Sequence, residues 1–92
     1  MKTIGFIGAG RIASIMLEGW DQAGALPEAV IAFDAKPDAA DRLAAAYGVV
    51  KAGSLAEAAS ADLVIVGLHP PVIAEVLPEV GRHLKPTAVL LS

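Results

Sequence analysis

IGFIGAGRIA, Ile4 to Ala13, decides how this chain folds. It opens as an apolar run and closes on helical spacing, with glycines at Gly5, Gly8 and Gly10. Three missing side chains in so short a stretch mean that something must come close to the backbone there. Thr3 to Ile7 reads as a buried parallel strand, apolar on both faces. Beyond it Ile12, Ile15, Met16, Gly19 and Trp20 recur at helical spacing as one stripe, with Trp20 inward. A helix is therefore expected over Gly10 to Ala23, stopped by Gly24 with Pro27 just beyond.

The alternation continues outward from this unit. Ala29 to Phe33, AVIAF, is a second strand. Pro37 opens a helix to about Tyr47, with Gly48 as its cap. Val49 and Val50 form a short third strand. Ser54-Leu-Ala-Glu57 matches a capping box, so a brief helix follows to about Ser60. Asp62 to Val66 is a fourth strand. Pro70 or Pro71 starts a last helix to about His83, with Ile73, Val76, Leu77 and Val80 inward and a kink or break at Pro78. Thr87 to Leu91 is a fifth strand. Strand and helix in strict alternation build a parallel sheet of about five strands, joined by right-handed crossovers, with helices on both faces.

Within that frame Gly8-Ala9-Gly10-Arg11-Ile12-Ala13 is G-x-G-x-x-A between a strand and a helix. In a dinucleotide fold the first glycine makes the tight turn and the second lets the pyrophosphate reach the backbone. The third small residue lets helix and strand close up. The free N–H groups and positive end of the helix then face the phosphates. A tight turn without a ligand would use the same glycines, but the strand–turn–helix setting and an acid at the end of the second strand favour the nucleotide. That acid is Asp34, which either accepts hydrogen bonds from the adenosine ribose, favouring NAD, or caps the Pro37 helix. Lys36 either neutralises the 2′-phosphate of NADP or is a solvated charge. The choice between NADP and NAD stays open at this point. Gly67-Leu68-His69-Pro70 ends the fourth strand beside the first, bordering the same crevice. His69 is either a loop histidine donating one hydrogen bond or an acid–base group. No catalytic side chain and no metal-ligand set is assigned.

Bulk properties exclude several classes. The chain has 92 residues, enough for one domain. A net charge of −3 argues against nucleic acid or an anionic membrane as the main partner. No apolar stretch approaches the about 20 residues that span a bilayer, and no leader is visible before the first strand. The absence of cysteine fits a reducing cytoplasm.

IGFIGAGRIA, the Asp34 region, Ser54, Ala61-Asp62 and the GLHPP turn together resemble the N-terminal domain of pyrroline-5-carboxylate reductase. The same pattern marks the broader NADP oxidoreductases that include coenzyme F420-dependent enzymes. The resemblance runs the length of the chain. It implies a Rossmann-type domain of an NAD(P)H-dependent oxidoreductase, which in proline biosynthesis reduces 1-pyrroline-5-carboxylate, a small imino acid. By resemblance, Ile7, Gly8, Ala9, Gly10, Arg11 and Ile12 hold the pyrophosphate. Asp34 and Lys36 flank the ribose, Ser54 approaches the adenine, and Gly67, Leu68, His69 and Pro70 line the nicotinamide half. The reductases usually carry lysine at the place of His69 and Asn or Gln at that of Arg11, and Asp34 departs from a strictly NADPH-dependent pattern. The family continues into a C-terminal helical domain that supplies the imino-acid site and dimer interface. The resemblance therefore implies a chain that stops short of that domain, with an uncovered apolar edge at Val89 to Leu91 and a tendency to self-associate. The alternatives are another NADP oxidoreductase, F420-dependent or acting on hydroxy acids, and a non-catalytic dinucleotide-sensing domain.

Overall fold

A strand that is apolar on both faces needs cover on both, and the chain supplies it by alternation. The computed structural model describes residues 3–91, so the chain end at Ser92 lies outside the described residues. The elements are β1 (Thr3–Ile7), α1 (Arg11–Gln22), β2 (Ala29–Phe33), α2 (Pro37–Tyr47) and β3 (Val50–Lys51). Then come α3 (Leu55–Ala59), β4 (Leu63–Val66), α4 (Pro70–His83) and β5 (Val89–Leu91). Five parallel strands form one sheet in the order β3-β2-β1-β4-β5. The chain moves outward from β1 through β2 to β3, then returns to lay β4 on the other side of β1. That reversal is the switch point at which open α/β sheets form a crevice.

The pleat divides the core in two. Ile4, Phe6, Val30, Ala32 and Ile65 meet Ala13, Leu17, Ala40 and Leu43 of α1 and α2 on one face. Ile7, Val64 and Val66 meet Leu55, Ala58, Ala59 and Val80 of α3 and α4 on the other. Trp20 is half-buried and lies against Phe6, their ring centroids 6.3 Å apart.

The inward face of α1 differs from the expected stripe. Ala13 and Leu17 are buried and Met16 and Trp20 half-buried, whereas Ile12 is 51% and Ile15 55% exposed, and Gly19 is also exposed. The tight turn sets the roll of this helix. Its small third motif residue, Ala13, must close on the strand, and Leu17 follows one turn later on the same face. In α4, Ile73, Val76 and Val80 turn inward as expected, while Leu77 is 37% exposed on the flank. This helix runs in one piece through Pro78. Pro78 and Ala74, whose carbonyl loses its donor, are both exposed, so water can replace the missing bond.

Strand ends also shift. β3 begins one residue late: Val49 is buried and Val50 lies exposed on the sheet edge. β4 starts at Leu63, because Asp62 is a clamp and not a strand residue. Its carboxylate Oδ2 accepts from the Thr3 backbone N–H at 3.0 Å and the Thr3 hydroxyl at 3.1 Å, and Oδ1 accepts from Lys85 Nζ at 3.1 Å. The Asp62 N–H donates to Thr3 Oγ1 at 3.0 Å. The starts of β1 and β4 are thus tied to the segment leading into β5, which itself begins at Val89 rather than Thr87. Ser54 caps α3 by accepting from the Glu57 N–H at 3.3 Å, while Glu57 reaches back to the Gly53 N–H at 3.0 Å, one residue before the expected donor.

Gly5 belongs to this packing. A Cβ on Gly5 would fall onto the Ala58 carbonyl oxygen and lie 3.0 Å from the Ala61 Cβ, so α3 rests directly on the β1 backbone. Gly5→Ala should therefore destabilise the domain by about 2 kcal/mol or more, the usual scale of overpacking against backbone. The urea midpoint is the measurement, and an unchanged midpoint would contradict the contact.

Candidate functional site

Strand register brings three loops to one place. Ile7 pairs with Phe33 on one side and Val66 on the other, so Gly8, Asp34 and Gly67 leave the carboxyl edge of the sheet side by side. The Gly8 N–H donates to the Phe33 carbonyl at 2.8 Å and the Gly67 N–H to the Ile7 carbonyl at 2.9 Å. Gly8 has φ +97°, and a Cβ there would lie 2.7 Å from the Gly67 carbonyl oxygen. Both the left-handed backbone and the approach of β4 require glycine at this point.

Gly10 is different. Its φ is −92°, and a Cβ built on it meets nothing within 4 Å. Packing within the chain does not require glycine here. Gly10 is also the N-cap of α1, which has no side-chain cap and no acid in its first turn. The first N–H groups of a helix have no partner inside it, so these donors and the positive helix end stay available to an anion.

In front of them opens a crevice of about 590 Å³. The glycine turn contributes Gly10, Arg11 and Ile12, and the end of β2 contributes Asp34 and Lys36. Gly67, Leu68 and His69 line it from the turn after β4, with Val72 of α4 behind them. These sequence-predicted residues therefore converge. Ile7, Gly8 and Ala9 are buried and do not line the crevice themselves; their backbone bonds hold the turn that does. Ser54 and Pro70 line no part of the crevice; the Ser54 hydroxyl is engaged in its cap and Pro70 is the exposed first residue of α4.

Asp34 makes two short bonds to backbone. Oδ2 accepts from the Ala9 N–H at 2.8 Å and Oδ1 from the Lys36 N–H at 2.8 Å. It does not cap α2, whose N-cap is Lys36. Instead it ties the glycine turn to the loop after β2. The sequence reading did not single out Ala39 and Arg42 of α2, which also line the crevice. The signal was present: Lys36, Ala39 and Arg42 are spaced by three, and helical side chains lean toward the N-terminus. Arg42 therefore reaches the same end of the helix as Lys36.

A smaller hollow of about 280 Å³ lies at the amino edge of the sheet, around Thr3, Ala29, Val50, Glu57 and Lys85. Glu57 and Lys85 are already bonded to Gly53 and Asp62, so this hollow offers less unsatisfied chemistry than the crevice.

A glycine turn at the switch point, an uncapped helix start above it and a crevice at the carboxyl edge define a dinucleotide-binding α/β domain of the Rossmann type. The chain belongs to the family of NADP oxidoreductases described as coenzyme F420-dependent, which matches it over residues 3–92. An NAD(P) dinucleotide is the cofactor of that family. Among solved structures, a protein of Bacteroides fragilis described as an NADP oxidoreductase is similar over 97% of this chain, with TM-score 0.80 and 24% identity. A protein of Mycobacterium avium 104 described as an oxidoreductase is 30% identical over 97% of this chain, with TM-score 0.77. A conserved protein of Sinorhizobium meliloti 1021 is 30% identical over 98%, also with TM-score 0.77. The aligned region is 34%, 31% and 31% of those three chains respectively, so this chain spans about a third of their length. No curated protein matches it. Among the described residues no helix is long and apolar enough to cross a membrane.

The two turn glycines should separate on mutation. Gly8→Ala should cost about 3 kcal/mol or more from backbone strain and the clash with Gly67. Gly10→Ala should cost less than about 1 kcal/mol, the scale of alanine at an N-cap. Yet it should weaken dinucleotide binding about tenfold or more. Urea unfolding and calorimetric titration read the two effects separately.

Proposed function

We propose that this chain is the NAD(P)H-binding domain of an oxidoreductase that reduces the C=N bond of a small cyclic imino acid, as pyrroline-5-carboxylate reductase does. The observation that carries the binding half is the uncapped α1 start at Gly10, open to a crevice lined by Arg11, Lys36 and Arg42. In this reading the helix N–H groups and Arg11 hold the pyrophosphate, and Asp34 and Lys36 flank the ribose. Gly67, Leu68 and His69 border the nicotinamide. The nicotinamide supplies hydride when bound; the protein orients it and shields one side. The imino-acid half rests on the resemblance of the glycine and GLHPP turns to that reductase. A further helical domain would supply the imino-acid site, and a reducing cytoplasm suits this chemistry.

The family description favours one second reading, hydride exchange with coenzyme F420. Both are tested together. The 92-residue protein should bind NADPH in calorimetry and should not consume it when pyrroline-5-carboxylate is added. A longer parent carrying this domain should oxidise NADPH with pyrroline-5-carboxylate. Oxidation with coenzyme F420 alone would move the assignment to that reading, and binding without any turnover in the parent would indicate a sensor. Turnover by the isolated chain would overturn the need for a further domain.

We also propose that the β5 edge drives self-association. β5 ends the sheet, and Val89, Leu90 and Leu91 are 46%, 38% and 48% exposed. An apolar edge strand is a template for a second copy. Sedimentation should show a concentration-dependent dimer that Leu90→Lys shifts toward monomer. A monomer at every concentration would refute it.

A further inference from the structure

The sheet face that carries α3 is only partly covered. α3 is five residues long and rests on β1, where Gly5 meets the Ala58 carbonyl. It leaves open the amino half of β2 and the neighbouring β3, so Ala29 is exposed, Ile31 half-buried and Val50 61% exposed. Register sets Thr3 beside Ala29 and Ile31 beside Val50, and the pleat puts all four on one face. They floor the hollow of about 280 Å³ at the amino edge, with Ser60 and Ala61 as its wall after α3.

Two charged groups line this hollow, Glu57 and Lys85, and they stand at opposite ends of it. The Glu57 carboxylate is held beside the segment after β3, where Oε2 accepts from the Gly53 N–H at 3.0 Å. The Lys85 ammonium is held at the start of β4, 3.1 Å from Asp62 Oδ1. In the strand order β3-β2-β1-β4 two whole strands lie between those places, so the charges are about 10 Å or more apart. Each fixing bond uses only part of its group. A carboxylate offers about four acceptor positions and an ammonium about three donors.

We propose that this hollow is a second ligand site, which takes a linear aliphatic zwitterion. The ligand is an ω-amino acid whose ammonium meets Glu57, whose carboxylate meets Lys85 and whose methylenes lie on Ala29, Ile31 and Val50. A chain of about six carbons, with a hydrogen bond of about 2.8 Å at each end, covers the span. An aliphatic acid or amine alone satisfies one end and leaves the other charge unused, and a wholly apolar ligand leaves both. The site lies at the edge of the sheet opposite the dinucleotide crevice and does not depend on that reading.

The test is titration of the whole chain with 6-aminohexanoate, followed by amide chemical shifts, with hexanoate, hexylamine and 3-aminopropanoate as comparisons. The expected shifts are at Ala29, Ile31, Val50 and Ser60, not at Gly10 or Gly67. Hexanoate, hexylamine and the short 3-aminopropanoate should each bind about fivefold or more weakly, and added salt should narrow the gap. Glu57→Gln should bring 6-aminohexanoate down to the level of hexanoate, and Lys85→Met down to that of hexylamine. Ala29→Leu, at an exposed position, should fill the hollow and abolish binding while the urea midpoint stays close to that of the unmodified chain. Saturating NADPH should leave the affinity for 6-aminohexanoate unchanged. Absence of shifts up to the solubility of the probe overturns the site. So does equal binding of hexanoate, displacement by NADPH, or an Ala29→Leu variant that folds and still binds. The four probes on the unmodified chain decide the matter even if a charge variant fails to fold.

Discussion

The architecture depends on how closely β1 and β4 approach at their carboxyl ends. Ile7 is paired on both sides, and Gly8 presses its backbone against the Gly67 carbonyl. A side chain at Gly8 would push the two turns apart, and the crevice walls are those turns. The Asp62 clamp on Thr3 holds the opposite ends of the same two strands. The central pair is therefore fastened at both ends, by backbone contact near the site and by a carboxylate far from it.

The three glycines of the stretch from Ile4 to Ala13 meet three different demands. Gly5 lets α3 lie on β1, and Gly8 makes the turn and admits β4. Gly10 faces open space. Only the last has no tenant inside the chain, and it sits at a helix start that carries no cap. Packing and backbone conformation thus account for Gly5 and Gly8, whereas nothing inside the chain requires a glycine at Gly10. Asp34 adds a second layer, because its bonds to Ala9 and Lys36 hold the turn in shape before any ligand arrives. Preorganisation of this kind spares a ligand the entropic cost of ordering the loop.

The two faces of the sheet are covered unequally. α1 and α2 pack on one face, while the other is covered by α4 and the five-residue α3. A helix so short can lie close only because Gly5 and the alanines Ala58, Ala59 and Ala61 remove bulk from the contact. The edges are left to β3 and β5, whose exposed Val50, Val89, Leu90 and Leu91 are the least satisfied apolar groups of the sheet.

Much of this was legible in order along the chain. Glycine and proline punctuation, apolar runs and the Ser54 to Glu57 box state where backbone geometry must change, and such local constraints show in local sequence. The alternation determined a parallel α/β sheet, and G-x-G-x-x-A with Asp34 marked the turns at the carboxyl edge where the crevice opens. Relations between elements were decided only in three dimensions. Periodicity alone could not say that Ala13 and Leu17 would face the core while Ile12 and Ile15 stayed exposed, because a turn elsewhere sets the roll of α1. Nor could it say that Asp62 leaves its strand to clamp Thr3, 59 residues away in sequence. The Asp34 bond to Ala9 and the arrival of Arg42 beside Lys36 at the crevice arise for the same reason. Side-chain partners across a sheet follow from register and helix docking, which no single segment encodes.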